Sequence, residues 1–239
     1  MKTLLCEAYM TLRILTLSLV LTLIVHTALA KETALSTYTE ESPSLSVSVT
    51  WQRSGLTLPD SEADALVKAS VDAFRTMAVQ EQEAMRELRT QDPDIPQHRY
   101  EMILEGSLSN NGKVMGILWK NYQYLGGAHG NLALAANSYA ASDGSPVKLN
   151  DLFGRPDKVL SLLSRLSRSR LIQRGLPGDM VEAGTAPEAE NFQTFLVEKD
   201  GLTLYFSPYQ VGPWSEGVVT VTLSLKDLAE AKPHLAYWQ

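Results

Sequence analysis

Two dipeptides, Asn111-Gly112 and Asp200-Gly201, each sit between runs of β-forming residues, and a third, Asp143-Gly144, marks another reversal of the chain. Asn-Gly and Asp-Gly tolerate the positive φ values of a tight hairpin turn, and strands joined this closely run antiparallel. Strands are predicted on either side: Tyr100–Glu105, Lys113–Tyr124, Asn131–Tyr139, a short extended piece Val147–Phe153, then Phe192–Val197, Leu202–Phe206 and Val218–Leu223. An earlier strand, Leu45–Trp51, alternates apolar and small polar residues without a break, the pattern of a half-buried strand. Helical spacing occurs twice over long stretches. Asp60 and Ser61 can cap a helix reaching Thr90, with Leu66, Ser70, Phe74, Met77, Ala84 and Leu88 as its core face. Pro156 suits the first turn of a second helix that stops at Gly175 with Pro177 beyond. A short helical turn at Leu225–Ala229 closes the last strand. Strand and helix do not alternate regularly, so the expected class is α+β: a mostly antiparallel sheet, a long N-terminal helix, a second helix packed on that sheet, and two small subdomains.

The N-terminus fixes the expected location. Lys2 and Arg13 precede an apolar run from Ile14 to Val25 that ends in Ala28-Leu29-Ala30. That run is shorter than the roughly 20 residues a membrane-spanning helix needs, and the two alanines fit a signal peptidase site, so residues 1–30 read as a signal peptide cleaved before Lys31. Met10 offers an alternative start. The chain's single cysteine, Cys6, lies upstream of the apolar run and is not placed to carry a lipid. The mature protein is therefore expected to be periplasmic or secreted, without thiol chemistry, and to meet the membrane only through an uncleaved signal segment. Residues 31–43, rich in Ser, Thr and Glu, read as a flexible leader, 44–98 as an N-terminal strand-helix subdomain and 99–239 as a C-terminal domain. Asp179–Glu190, acidic and interrupted by Gly184 and Pro187, reads as a mobile loop.

Composition excludes one class of function. The net charge is −6 and no run of Lys or Arg occurs, so the electrostatic footprint of a nucleic-acid binder is missing. Signatures of catalysis are also missing: there is no Gly-x-Ser-x-Gly elbow, phosphate-binding loop or His-Glu-x-x-His helix, and His98, His129 and His234 are far apart in sequence. No catalytic residue, metal ligand or cofactor is assigned. Paired carboxylates of the glycosidase kind leave an envelope hydrolase open as an alternative. The helix from Pro156 carries Lys158, Arg165, Arg168, Arg170 and Arg174; these cations either form a basic surface or answer the helix macrodipole near its C-terminus.

Tyr122–Asn131 stands out physically, because Gly126, Gly127 and Gly130 allow unusual backbone angles beside the polar tips of Tyr122, Tyr124 and His129. It reads either as a tight strand connection whose histidine bonds a carbonyl or as a contact surface.

At these residues the chain resembles the extracytoplasmic domain shared by the RsiV anti-sigma factor and the non-catalytic part of PdaC-type peptidoglycan deacetylases. Tyr124-Leu-Gly-Gly-Ala-His-Gly-Asn131 is similar to the family's Tyr-x-Gly-Gly-Ala-His-Gly-Asn string, and Leu149-x-Asp151-Leu152-Phe153 to the motif that follows it. Phe195 to Leu228, with Phe206-x-x-Tyr209-x-Val211-x-Pro213 and Gly217, looks like the family's closing block. The family tends to carry smaller residues where this chain has Trp214 and Glu216. The resemblance implies an α+β fold outside the cytoplasmic membrane and, for RsiV, a role as a receptor for lysozyme. It does not imply an enzyme: the deacetylases' hydrolytic unit is separate and nothing here resembles it, so that activity does not transfer. The expectation is an exported, non-catalytic envelope protein that recognises peptidoglycan or a protein acting on it, such as lysozyme. Tyr124, Gly126, Gly127, His129, Asn131, Tyr209 and Trp214 are its candidate binding residues. A purely structural interaction module of the periplasm is the remaining alternative.

Overall fold

The computed structural model describes residues 34–239; the predicted signal peptide, its cleavage point and Cys6 lie outside them. Within these residues the order is β1 (Leu35–Glu41), β2 (Leu45–Gln52), α1 (Thr57–Gln91), β3 (Tyr100–Asn110), β4 (Val114–Tyr124), β5 (Asn131–Ala140), α2 (Pro156–Gln173), α3 (Gly178–Gly184), β6 (Phe195–Glu198), β7 (Gly201–Phe206) and β8 (Val219–Ser224). The class is α+β, as expected, with a five-stranded sheet β1-β2-β3-β4-β5 and a three-stranded sheet β6-β7-β8. The larger sheet is mixed: α1 carries the chain from β2 across to β3, which therefore run parallel, and its other pairs are antiparallel. The boundary expected at residues 98–99 falls between these two paired strands, so both predicted parts contribute to one sheet.

The expected flexible leader is corrected. From Leu35 to Glu41 it is a strand, with Tyr38 opposite Val49 and Glu40 opposite Val47. Its polar side chains are the reason it is held: the Tyr38 hydroxyl donates to Glu40 at 2.8 Å, and Arg75 of α1 donates through Nε to the same carboxylate at 2.9 Å.

One core lies between α1 and the larger sheet. Ala63, Val67, Val71, Phe74 and Ala78 of α1 meet Val47, Val49 and Trp51 of β2, Met102 and Leu104 of β3, and Met115, Ile117 and Trp119 of β4. Of the predicted stripe only Phe74 is fully buried, and Leu88 is exposed. Small residues won the face because the helix lies close to a sheet carrying two tryptophans. Gly106 of β3 makes room for them, since a Cβ there would sit 2.6 Å from the Trp119 ring and 2.8 Å from Trp51 Cβ. Asp60 does not cap α1, which begins at Thr57. Instead its carboxylate accepts from the Ser54 N–H at 2.7 Å and the Ser54 hydroxyl at 2.8 Å, closing the turn before the helix.

The second core lies under the smaller sheet, and α2 packs there rather than with α1 on the larger one. Val159, Leu162, Leu163 and Leu171 bury with Leu202, Leu204 and Phe206 of β7 and Val219, Val221 and Leu223 of β8. The expected mobile loop Asp179–Glu190 contains α3, whose Val181 is fully buried and whose Thr185 hydroxyl donates back to the Val181 carbonyl at 2.6 Å. Val147–Phe153 is not extended throughout: Leu149–Leu152 is a 3-10 turn closed by the Lys148 N–H donating to Asp151 at 2.8 Å.

The two sheets touch through β6. A Cβ on Gly116 of β4 would lie 2.5 Å from Leu196 Cδ2, so glycine lets the strands approach. At the β3–β4 hairpin tip, Asn111 Oδ1 accepts from Lys113 and Val114 N–H groups, both at 2.8 Å, and Nδ2 donates to the carbonyls of Glu198 at 3.3 Å and Tyr237 at 3.0 Å.

Candidate functional site

The Gly-rich connection leaves β4 at Tyr124 and enters β5 at Asn131. Gly126 and Gly127 both take positive φ, 95° and 94°, which reverses the chain where a side chain at either position would be strained. The Tyr124 hydroxyl donates to the Gly127 carbonyl at 3.2 Å, and its ring meets His98 edge-on with centroids 6.1 Å apart. Tyr124 therefore braces the loop from beneath. Gly130 is buried, and a Cβ there would fall 2.4 Å from the Tyr122 ring, so a larger residue would have to push the tip of that tyrosine aside.

The result of this turn is an exposed His129. Its Nδ1 lies 2.8 Å from the Gly130 carbonyl oxygen. A carbonyl only accepts, so Nδ1 carries the hydrogen and Nε2 is left as an acceptor for the Tyr209 hydroxyl, 3.3 Å away. The imidazole also stacks on Trp214, with centroids 4.7 Å apart and planes 15° from parallel. Tyr209 and Trp214 are tilted neighbours at 5.9 Å.

Tyr209 and Trp214 come from the other sheet, on the connection between β7 and β8. That connection is moored by Val211, which is fully buried, and by Gln210, whose side-chain amide donates to the carbonyls of Gly184 at 3.2 Å and Asn191 at 3.1 Å. It approaches α3 so closely that a Cβ on Gly184 would lie 1.9 Å from the Gln210 carbonyl oxygen. With its neighbours pinned, Tyr209 takes φ +69°, the left-handed region that a bulky side chain rarely enters, and its ring stays 54% exposed. Trp214 opens a short 3-10 turn that ends at Gly217, φ +63°.

The structure thus brings together three of the candidate residues, His129, Tyr209 and Trp214, as one aromatic surface made where the two sheets meet. Tyr124, Gly126 and Gly127 shape the loop that carries His129, and Asn131 begins β5, exposed and opposite Gln123. Sequence reading singled out Tyr122 for its polar tip, whereas in the structure its ring lies against Gly130. It missed the role of Gly184, which lets the Tyr209 segment dock and has no local sequence signal, because it acts on Gln210, distant in the chain. Chemically, the stacked rings of His129 and Trp214 offer flat apolar area and the tilted Tyr209 beside them a hydroxyl oxygen that can still accept, a combination suited to sugar faces or to a protein partner's side chains. Among the described residues no three His, Cys, Asp or Glu side chains converge as metal ligands.

The arginines of α2 are largely engaged within the fold. Arg170 donates to Asp227 at 2.8 Å and to the Thr222 carbonyl, Arg174 donates to the Thr220 carbonyl at 2.9 Å, and Arg165 pairs with Glu230 at 2.5 Å. Of the basic surface considered from sequence, Arg170 and Arg174 are thereby spent along the edge of β8, Arg165 on Glu230 and Arg168 on Glu182.

Comparison with known proteins agrees with this architecture. Residues 150–226 match DUF3298, a protein family of unknown function. A 155-residue stretch, 60% of the chain, is 27% identical to the peptidoglycan-N-acetylmuramic acid deacetylase PdaC of Bacillus subtilis. That stretch corresponds to 33% of PdaC, so the chain spans about a third of the length of this curated relative. Among solved structures, a DUF3298 family member from Bacteroides fragilis aligns with a TM-score of 0.57 at 15% identity, over 84% of this chain and 93% of its own. Another from Pseudomonas aeruginosa aligns with a TM-score of 0.54 at 14% identity, over 84% of this chain and 97% of its own. At these identities the likeness is one of fold.

Proposed function

We propose that this protein is an exported, non-catalytic binding protein of the cell envelope whose ligand is peptidoglycan. The observation that carries the reading is the convergence of His129, Tyr209 and Trp214, from positions distant in sequence, on one exposed stacked surface. A half-open tryptophan beside the Tyr209 hydroxyl, whose hydrogen goes to His129 while its oxygen can still accept, is an arrangement that takes a pyranose face and meets one of its hydroxyl or amide donors. The likeness to a peptidoglycan deacetylase supports the choice of polymer, and the signal-peptide pattern of residues 1–30 supports the location. Among the described residues no helix is long and apolar enough to cross a membrane.

Co-sedimentation of Thr33–Gln239 with peptidoglycan sacculi, with and without c-type lysozyme, tests this. Saturable pelleting with sacculi alone is the expected result. Trp214→Ala is expected to weaken it at least about tenfold, roughly 1.4 kcal/mol, and His129→Ala to weaken it less, with melting temperatures close to the parent's. Pelleting only when lysozyme is present, or retention of lysozyme in solution, transfers the surface to a protein partner. Release of soluble fragments from the sacculi would instead establish the hydrolase alternative.

A further inference from the structure

We propose that two copies of this chain pair edge to edge through β5, joining their five-stranded sheets into one continuous sheet. The starting observation is which edges the fold protects. The edge of β8 is closed by Arg170 and Arg174, whose guanidinium groups take the carbonyls of Thr222 and Thr220. At the far edge of the larger sheet, β1 carries Glu40 and Glu41, tied to Arg75 and Arg99. Strand β6 is only four residues long, and Asn111 covers the Glu198 carbonyl at its end. These are the usual devices that keep sheet edges from pairing: charge, shortness and a covering group.

Strand β5 has none of them over its first half. It is ten residues long, at the edge of the larger sheet, and from Asn121 to Ser142 the sequence contains no Asp, Glu, Lys or Arg. Beyond Ser138 its outer side is occupied: the Val147 N–H donates to the Ser138 carbonyl and the Ala140 N–H to the Ser145 carbonyl, both at 2.8 Å. Backbone groups alternate between the two sides of a strand, so Leu132, Leu134 and Ala136 also direct their N–H and C=O outward. Among the described residues no strand pairs with them there.

The occupant is argued from the strand's own pattern. A two-fold axis at Leu134 sets Leu134 opposite its copy and Leu132 opposite Ala136 of the second chain, and each such outward pair exchanges two backbone hydrogen bonds. On the intervening positions Ala133 faces Ala135 and Asn131 faces Asn137, placing small residues together and amide opposite amide. No like charges meet, although the chain as a whole is acidic. Charges farther away than about 8 Å are largely screened at physiological salt.

Sedimentation equilibrium of Thr33–Gln239, the compact unit that holds both cores, tests the pairing. The parent is expected to show a concentration-dependent monomer–dimer equilibrium. Leu134→Lys sets like charges opposite each other, and Ala136→Pro removes an outward N–H without touching the β4 ladder; both are expected to be monomeric with unchanged circular dichroism. Because the sole cysteine is Cys6, Leu134→Cys supplies a second readout that does not depend on affinity. Opposed residues of this kind have Cα atoms about 5.5 Å apart, within disulfide reach, so mild oxidation is expected to give a covalent dimer, while Val79→Cys on exposed α1 surface stays monomeric. A parent that remains monomeric at 100 µM-scale loading and forms no Leu134→Cys dimer overturns the proposal, as does a dimer that survives Leu134→Lys.

Discussion

Tyr209 is the residue where the fold most openly gives up stability. A left-handed backbone costs a residue with a Cβ about 1–2 kcal/mol, and Tyr209 accepts this at φ +69° while its ring remains more than half exposed and buries little in return. Strain at an exposed aromatic that meets His129 and Trp214 is the mark of a residue positioned for contact rather than for packing. Two substitutions separate backbone from ring. Tyr209→Ala removes the ring and keeps the strain, whereas Tyr209→Gly removes both, at a cost in chain entropy of about 0.5–1 kcal/mol. In urea denaturation the glycine variant is expected to be more stable than the alanine variant by about 1 kcal/mol, and both are expected to lose binding to sacculi. Equal stability of the two would show that the left-handed backbone carries no strain. None of this is visible in the string Tyr209-Gln-Val-Gly-Pro213, since the φ value follows from Val211 and Gln210 being held against distant residues. Tyr124, His129 and the glycines around them were legible from residue type, and Tyr209 and Trp214 from the resemblance to the family's closing block; their meeting was not, because it depends on how two sheets dock.

At the scale of the element, the join between α2 and β8 shows how charges that resemble a surface patch act within the fold. Asp227 Oδ2 accepts from the Ser224 hydroxyl at 2.7 Å, the Ser224 N–H at 2.8 Å and Arg170 at 2.8 Å. The serine hydroxyl, then its N–H, and then the guanidinium hold the Asp227 carboxyl down at about 2, below the ordinary 3.8. A carboxyl depressed in the folded state stabilises fully above its unfolded value, and the contribution is lost as pH falls through the folded one. Asp227→Asn is therefore expected to destabilise the protein at pH 7 by about 1 kcal/mol, the pair being partly screened by solvent, and the gap from the parent should close between about pH 4 and pH 2. Chemical denaturation at pH 7, 4 and 2 measures this; a gap that stays constant would mean that the asparagine's lost geometry, not the charge, is responsible. Elements were legible where the signal was local. Asn111-Gly112 placed the β3–β4 hairpin, and Pro156 with Gly175 bounded α2. Strand β1 and helix α3 were missed because Ser, Thr and Glu in one and Gly184 in the other resemble linker composition, whereas Arg75 and the buried Val181 supply the long-range contacts that order them. The Asp200-Gly201 signal was right for a different reason: Gly201 is needed because a Cβ would lie 2.0 Å from the Leu223 carbonyl oxygen of β8.

On the scale of the whole molecule, one core forms on α1 and the larger sheet and another under the smaller sheet, and the candidate surface exists only while they are docked, since His129 belongs to one sheet and Tyr209 and Trp214 to the other. The sequence showed two groups of elements but not this division, because the parallel pairing of β2 with β3 is set across the whole length of α1 and no local pattern records it. Asn111 is the polar link with the widest reach. It serves its own hairpin through Oδ1 and the second core through Nδ2, which holds both β6 and the C-terminal turn at Tyr237. Asn111→Ala removes these bonds and is expected to cost about 1–3 kcal/mol. The distribution of that loss is the informative quantity. Amide hydrogen exchange should show β7 and β8 losing more protection than β3 and β4, because the first core keeps every apolar contact while the second loses a tether. The same variant should bind sacculi less tightly although none of His129, Tyr209 and Trp214 is changed, since a loosened smaller sheet carries two of the three rings away from the third. If protection fell equally in both sheets, the two cores would be one cooperative unit, and the docking of the candidate surface would be as stable as the fold itself.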